Sequence, residues 1–358
     1  MATKIKIIQV IDQPSGGGAE KICRSIKRLL IEKKINTEVF YFKNPKKITL
    51  EPHETVYTGN AGYLGALLLL RKKIIQSLNS NFCKIIIQVH LTRSLYMVPI
   101  ITLNLKCKMI FIEHNTSYRR RSFYFLRYLE RIIYKRYDKI IGVSNACLNS
   151  LNNWLRTDNL KERMLVIYNG INLNENIIKT KKISKVIKFI SIGSLTHQKG
   201  FDIAIKAMAK LDFNNWHYEI LGEGTERTKL ESLVKQLKLS KKILFKGYKD
   251  NVHTYLVNSD VMIIPSRWEG FGLVAVEALS FGIPLVVSKV PGIDEVVGNS
   301  EACIMFKSED IKDLELSIQS AIKRRDKVLD LDKKAFLQAS KFDETKMINN
   351  YLKIYNEV

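Results

Sequence analysis

Residues 260–291, DVMIIPSRWEGFGLVAVEALSFGIPLVVSKVP, constrain the fold more than any other stretch. The run DVMIIP is short, apolar and free of alternation, the pattern of a strand buried on both faces of a parallel sheet. Gly270 and Gly272 flank Phe271, so backbone can come close to a ligand there. A helix is predicted over residues 273–281, stopped by Gly282-Ile283-Pro284, with the next strand at 285–288. A helix that starts after a buried strand aims its free N–H groups above the sheet edge, where an anion is favoured. Glu269 precedes the glycine turn and Glu277 lies about one turn into the helix, so both reach toward one ligand.

The same alternation runs along the rest of the chain. Residues 4–11, 37–42, 85–89, 108–112 and 139–143 read as strands, and 64–78 and 95–104 as helices, the latter despite Pro99. Gly16-Gly17-Gly18-Ala19-Glu20 opens a helix that runs to about residue 33, and 44–62 reads as loop. A second series starts at 187–192 and continues through 217–221 and 243–246. Such alternation predicts doubly wound parallel sheets, with ligands beyond the carboxyl ends of the strands. The polar, basic stretch 172–185 is the expected linker. Gly16 and Gly18 fit the start of a dinucleotide fingerprint, but Lys21 stands where its third glycine belongs, which argues against NAD. The glycines also suit a tight turn that needs positive φ. His90 and His114 end two strands; a histidine there is most often a hydrogen-bonded loop residue.

Glu269-Gly270-Phe271-Gly272-Leu273 with Glu277, then Gly282-x-Pro284, Gly292 and Glu295, resembles the retaining GT-B glycosyltransferases of family 4, the glycosyl transferases group 1. Gly17-Gly18-x-Glu20 and Asn169-Gly170-Ile171 match further motifs of that family. The resemblance is strong over the second half and weak over the first. It implies an α/β GT-B fold of two Rossmann-like domains facing across a cleft. Residues 1–175 would bind the acceptor, 182–339 the nucleotide-sugar donor, and the tail 340–358 would pack back on the first domain.

The resemblance also implies roles. Glu269, His114 and Lys199 would be catalytic, with Lys199 neutralising the departing diphosphate. Glu277 would accept hydrogen bonds from the ribose hydroxyls. Gly17, Gly18, Ser194, Phe271, Gly272 and Leu273 would complete the donor site. No cofactor and no metal is expected, and a UDP-sugar is favoured over a GDP-sugar. The acceptor would be a lipid-linked or surface polysaccharide, a glycan or polyprenyl-diphosphate-linked chain of the O-antigen or capsule type. One position departs from the family: Ser194 stands where an arginine is usual, leaving Lys199 as the cation unless Arg267 compensates.

Charge adds a second partner. Residues 1–180 carry 30 Lys and Arg against 12 Asp and Glu, while the remainder carries 28 against 23. A basic first half suits an anionic surface. Residues 118–139, YRRRSFYFLRYLERIIYKRYDK, read as one basic, aromatic helix after a basic loop. They suit membrane docking through Arg119, Arg120 and Arg121, or equally a helix with a core face. No signal-peptide pattern opens the chain, and the five scattered cysteines form no C-x-x-C pair, so a cytoplasmic protein peripheral on the inner membrane face is expected.

Three other readings compete. A metal-dependent transferase needs D-x-D at a strand end, whereas Asp330-Leu331-Asp332 sits in a charged helical tail. A non-catalytic nucleic-acid or membrane binder would use the charge, but no RNA-binding signature accompanies it, and nucleic acid is not expected as a partner. A hydrolase or epimerase could use the same fold.

Overall fold

The computed structural model describes residues 5–14, 17–45, 48–173, 185–324 and 328–358, the side chains of 328–330 apart. The chain divides into two compact units, Met1–Gly170 with Glu344–Val358, and Ile171–Asp343. The expected linker falls mostly on 174–184, outside the described residues, as does Gly16.

The first unit runs β1 (Ile5–Ile11), α1 (Gly18–Glu32), β2 (Asn36–Tyr41), β3 (Glu54–Val56), α2 (Gly62–Leu78), β4 (Lys84–His90), α3 (Thr92–Ile101), β5 (Lys108–Glu113), α4 (Leu126–Tyr134), β6 (Lys139–Gly142), α5 (Asn145–Leu155) and β7 (Met164–Val166). Its parallel sheet has the order β3-β2-β1-β4-β5-β6-β7. The chain winds outward from β1 to β3, then returns to place β4 on the other side of β1. That reversal leaves a crevice at the carboxyl ends of β1 and β4. Ile86, Ile87, Val89, Ile110 and Ile112 are wholly buried, as continuous apolar strands covered on both faces must be. Each such side chain contributes roughly 1.5–3 kcal/mol by leaving water.

The second unit runs β8 (Ile187–Ile192), α6 (Phe201–Met208), β9 (Trp216–Leu221), α7 (Arg227–Gln236), β10 (Ile243–Gly247), α8 (His253–Val257), β11 (Val261–Ile264), α9 (Leu273–Ser280), β12 (Leu285–Lys289), α10 (Ile293–Val297), β13 (Cys303–Lys307), α11 (Ile311–Lys323) and α12 (Val328–Ala339). The order β10-β9-β8-β11-β12-β13 is again parallel and reverses between β8 and β11. A last helix, α13 (Glu344–Glu357), belongs to the first unit. There Arg28 pairs with Glu344 at 2.6 Å and the Lys84 ammonium donates to the Tyr355 carbonyl at 3.1 Å.

Two expectations change. Residues 44–62 are not all loop: β3 pairs with β2, its Thr55 opposite Phe40. Residues 118–139 are not one long helix. A single turn at Arg119–Ser122 precedes α4, which has nine residues, and Lys139 already starts β6. The inner face of α4 joins core residues Tyr134, Leu126 and Ile133 with one carboxylate. Glu130 is wholly buried and accepts from Arg120 Nε at 2.6 Å, from Trp154 Nε1 at 2.8 Å and from the Tyr96 hydroxyl. Arg121 pairs at 3.0 Å with buried Glu113, which also accepts from the Tyr118 hydroxyl. Arg120 and Arg121 are therefore internal, with side chains only 13% and 10% exposed. The outer surface carries Tyr124, Phe125, Tyr128 and Ile132, each 65–70% exposed. Among the described residues no helix is long and apolar enough to cross a membrane.

Candidate functional site

In the second unit the reversal of strand order selects two loops, residues 193–200 after β8 and 265–272 after β11. These carry Ser194, Lys199, Glu269, Phe271 and Gly272. The loops are clamped together. Arg267 N–H donates to the Gln198 carbonyl at 2.7 Å, and Gln198 Nε2 donates to the Trp268 carbonyl at 3.0 Å. Gly200 has φ +63°, and a Cβ there would lie 2.0 Å from the Pro265 oxygen, so no larger residue allows this approach.

The clamp brings Lys199 and Glu269 together: Lys199 Nζ lies 2.5 Å from Glu269 Oε1, with both side chains largely buried. The same oxygen accepts from Ser266 Oγ at 2.8 Å, and Ser288 Oγ donates to the Ser266 carbonyl. The glutamate is thus oriented from two sides, a condition for precise contact with a substrate hydroxyl. Gly272, at φ +82°, caps α9, and a Cβ there would meet Ile293 Cδ1 at 2.3 Å. α9 is apolar nearly all round and buried, and Leu273 is its first residue. Phe271 packs edge-on against Phe342 with ring centroids 5.3 Å apart, so its side chain is a prop and its backbone is what the loop offers. Glu277 lies one turn into α9 and is 9% exposed. Ser194 is exposed at the mouth of the first loop.

Arg267 does not replace the missing arginine. Its guanidinium makes a two-pronged pair with Asp202 at 2.9 and 3.0 Å and also donates to Glu309 and to the His197 carbonyl. Burial pushes the Asp202 carboxyl up, but hydrogen bonds and charge from Arg267 pull it below its ordinary value. Arg267 is a brace for the loop. Asp330 and Asp332 fall within α12.

In the first unit Gly17 and Gly18 stand at the start of α1. The tight-turn expectation fails for both. Gly17 has φ −172°, open to any residue, and Gly18 is not among the positive-φ glycines. What Gly18 gives is room, since a Cβ there would meet nothing within 4 Å. His114 follows β5 and is half-buried, while His90 ends β4 and is wholly buried. Their rings are inclined by 25° with centroids 5.2 Å apart and meet edge to edge, His90 Nδ1 lying 3.0 Å from His114 Nε2. Burial pushes the His114 imidazole down to about 4 and holds His90 well below its ordinary value, with His114 beside it adding to the effect. The next residue, Leu91, has φ +66° and ψ 164°, a strained conformation for a branched side chain at this strand end.

Sequence reading missed Ser266 and Gln198, which steady Glu269 and its loop. Ser266 lies three residues before Glu269, a visible position, but nothing in a sequence tells which small polar residue of a loop points inward.

Glycosyl transferases group 1 match residues 174–338, and Glycosyltransferase Family 4 matches residues 16–175. An uncharacterized glycosyltransferase of Methanocaldococcus jannaschii is 31% identical over 235 residues, 65% of this chain and 63% of that protein. The O-antigen biosynthesis glycosyltransferase WclY of Escherichia coli is 31% identical over 204 residues, 54% of this chain and 55% of that protein. The chain thus spans between half and two thirds of the length of these relatives. The structure of Anabaena HepE in complex with UDP-glucose superposes with a TM-score of 0.84 at 20% identity, covering 99% of this chain and 100% of that one. That likeness shows the GT-B fold. Each unit is thus matched by a glycosyltransferase family of its own.

Proposed function

We propose that the chain transfers a sugar from a nucleotide-sugar donor to a lipid-linked or surface polysaccharide acceptor, with retention of anomeric configuration and without a metal. The observation that carries this reading is the Lys199–Glu269 pair held where the β8 and β11 loops meet, beside the glycine-capped start of α9. A diphosphate leaving as an anion is stabilised by the Lys199 ammonium and by the backbone at the start of α9, at Phe271, Gly272 and Leu273. Glu269 holds sugar hydroxyls, Glu277 the ribose, and His114 and the Gly17–Gly18 backbone act from the first unit. HepE binds UDP-glucose in its crystals, which favours a UDP-sugar here. WclY serves O-antigen biosynthesis, which favours a glycan acceptor carried on a polyprenyl diphosphate.

Thermal shifts with UDP, GDP and ADP test the donor site, because a ligand that binds only the folded state raises Tm. UDP is expected to give the largest shift, and Glu277→Ala to weaken it by about 1–3 kcal/mol, the scale of lost buried hydrogen bonds. Glu269→Ala should keep the shift and lower kcat. No shift with any nucleotide, or an undiminished shift in Glu277→Ala, contradicts the assignment.

The protein also docks on the inner, anionic face of the cytoplasmic membrane in this reading. Exposed Tyr124, Phe125, Tyr128, Leu129 and Ile132 form an apolar face, and exposed Arg119, Lys135 and Arg136 flank it with positive charge. The internal pairing of Arg120 and Arg121 moves the test from arginines to aromatics. Aromatic burial is worth up to roughly 1.5–3 kcal/mol per side chain, and each basic residue near the surface about 1 kcal/mol. Sedimentation with vesicles should show binding that needs anionic lipid, weakens in salt and drops sharply in the Tyr124→Ser, Phe125→Ser, Tyr128→Ser triple variant. Equal binding to neutral and anionic vesicles would reject the docking face.

A further inference from the structure

A buried chain of polar side chains in the first unit links α13 to the end of β5, and its donors can be assigned from one fixed point. The Cys23 carbonyl can only accept, so Gln9 presents Nε2 to it at 3.0 Å and turns Oε1 the other way. Gln9 Oε1 meets Gln88 Nε2 at 3.0 Å and His90 Nε2 at 3.1 Å. Gln88 is oriented consistently, its Oε1 accepting from the Tyr355 hydroxyl at 2.5 Å. An amide oxygen can accept from both neighbours, so His90 carries its proton on Nε2. The opposite tautomer would set a bare nitrogen against a carbonyl oxygen. Gln88 Nε2 and His90 Nε2, 3.3 Å apart, are then two donors sharing one acceptor.

The consequence passes to His114. A neutral His90 with its proton on Nε2 has a bare Nδ1, and that atom lies 3.0 Å from His114 Nε2. His114 must donate there, which leaves its own Nδ1 as an acceptor. Gln9, Gln88 and His90 are wholly buried and Tyr355 nearly so, so water cannot scramble the order. The depressed pKa values of both rings keep them neutral at physiological pH.

We propose that His90 is a positioning residue which locks His114 in the tautomer protonated at Nε2, so that His114 offers Nδ1 to a substrate hydroxyl as a hydrogen-bond acceptor. This rests on the transferase reading for the identity of the hydroxyl, a sugar hydroxyl of the donor or acceptor. A ring in this state attracts an O–H group and gives nothing to a phosphate oxygen, which assigns the first unit's histidine to sugar recognition and leaves the diphosphate to Lys199.

Long-range ¹H–¹⁵N correlation of the six histidines in the unliganded full chain reads the tautomers directly. His90→Asn and His114→Gln spectra assign the signals. At pH 7 both rings should be neutral with the proton on Nε2. A charged His114, or one protonated on Nδ1, overturns the proposal whatever the protein catalyses. Variants then test the role. Asparagine can place an oxygen acceptor near the position of His90 Nδ1, whereas phenylalanine cannot. His90→Phe should let His114 exchange between tautomers and lower kcat about tenfold, the scale of one misplaced hydrogen bond, with donor KM little changed. His90→Asn should keep the tautomer and most of the turnover. Equal losses in both variants with a parent-like His114 spectrum would make His90 merely structural and overturn the proposal. A parent protein that shows no transfer would instead overturn the proposed function, and the unliganded spectrum would still decide the tautomer.

Discussion

Lys199→Ala is expected to lower kcat by about 100-fold or more, the scale of a removed electrostatic stabiliser. The expectation follows from what surrounds the ammonium. Ser194 brings no charge to the loop it shares with Lys199, and Arg267 is committed to Asp202 and Glu309. Within the described loops 193–200 and 265–272, Lys199 is thus the lysine or arginine that the proposed transfer leaves to meet the developing diphosphate charge. Its pairing with Glu269 holds it in place before the donor arrives. The variant also leaves Glu269 without that partner, so Tm should be recorded beside the rates to separate lost catalysis from lost folding. Ser194→Arg should tighten binding of the nucleoside diphosphate, because a charge-assisted contact is roughly twice as strong as a neutral one. Lys199→Ala turning over like the parent would mean that the diphosphate is held elsewhere.

Glu130→Ala should give the largest loss of stability. The carboxylate is wholly buried and takes hydrogen bonds from Arg120, Trp154 and Tyr96. Removing it strands the Arg120 charge, whose side chain is 13% exposed, along with two other donors. Breaking a buried pair from one side costs about 3–5 kcal/mol. Urea denaturation followed by circular dichroism reads this as a lower midpoint with an unchanged slope. A loss under about 1 kcal/mol, the level of an exposed pair, would show that water reaches the cluster.

That cluster also marks where sequence reading stops. The central strands were legible because burial on both faces leaves a continuous apolar run, as in IIIQV of β4 and VMII of β11. The start and stop of α9 were legible because Gly272, Gly282 and Pro284 act locally. The orientation of α4 was not. Its sequence, LRYLERIIY, buries Tyr134 as a core face would, but leaves Tyr128 and Ile132 outside and takes Glu130 in, which periodicity alone does not indicate. The partners that draw Glu130 inward come from Arg120, Tyr96 and Trp154, the last two 34 and 24 residues away. β3 was missed for a related reason: Glu-Thr-Val has no apolar run, and only pairing with β2 makes it a strand.

The candidate site divides in the same way. Lys199, Glu269, Gly272 and Glu277 stood out by motif. That Lys199 and Glu269 touch, across 70 residues of chain, needed the strand order. Arg267 looked available in sequence because its partners, Asp202 and Glu309, lie 65 and 42 residues away.

The most direct test follows the label of a nucleotide sugar. The purified protein is incubated in EDTA with UDP-sugars radiolabelled in the sugar and with a polyprenyl-diphosphate-linked glycan, and the product anomer is read by NMR. The account predicts label on the glycan, with the donor's anomeric configuration kept. Label found only in free sugar or in an isomer, an inverted linkage, or transfer that stops in EDTA and returns with Mg²⁺ or Mn²⁺ would contradict it.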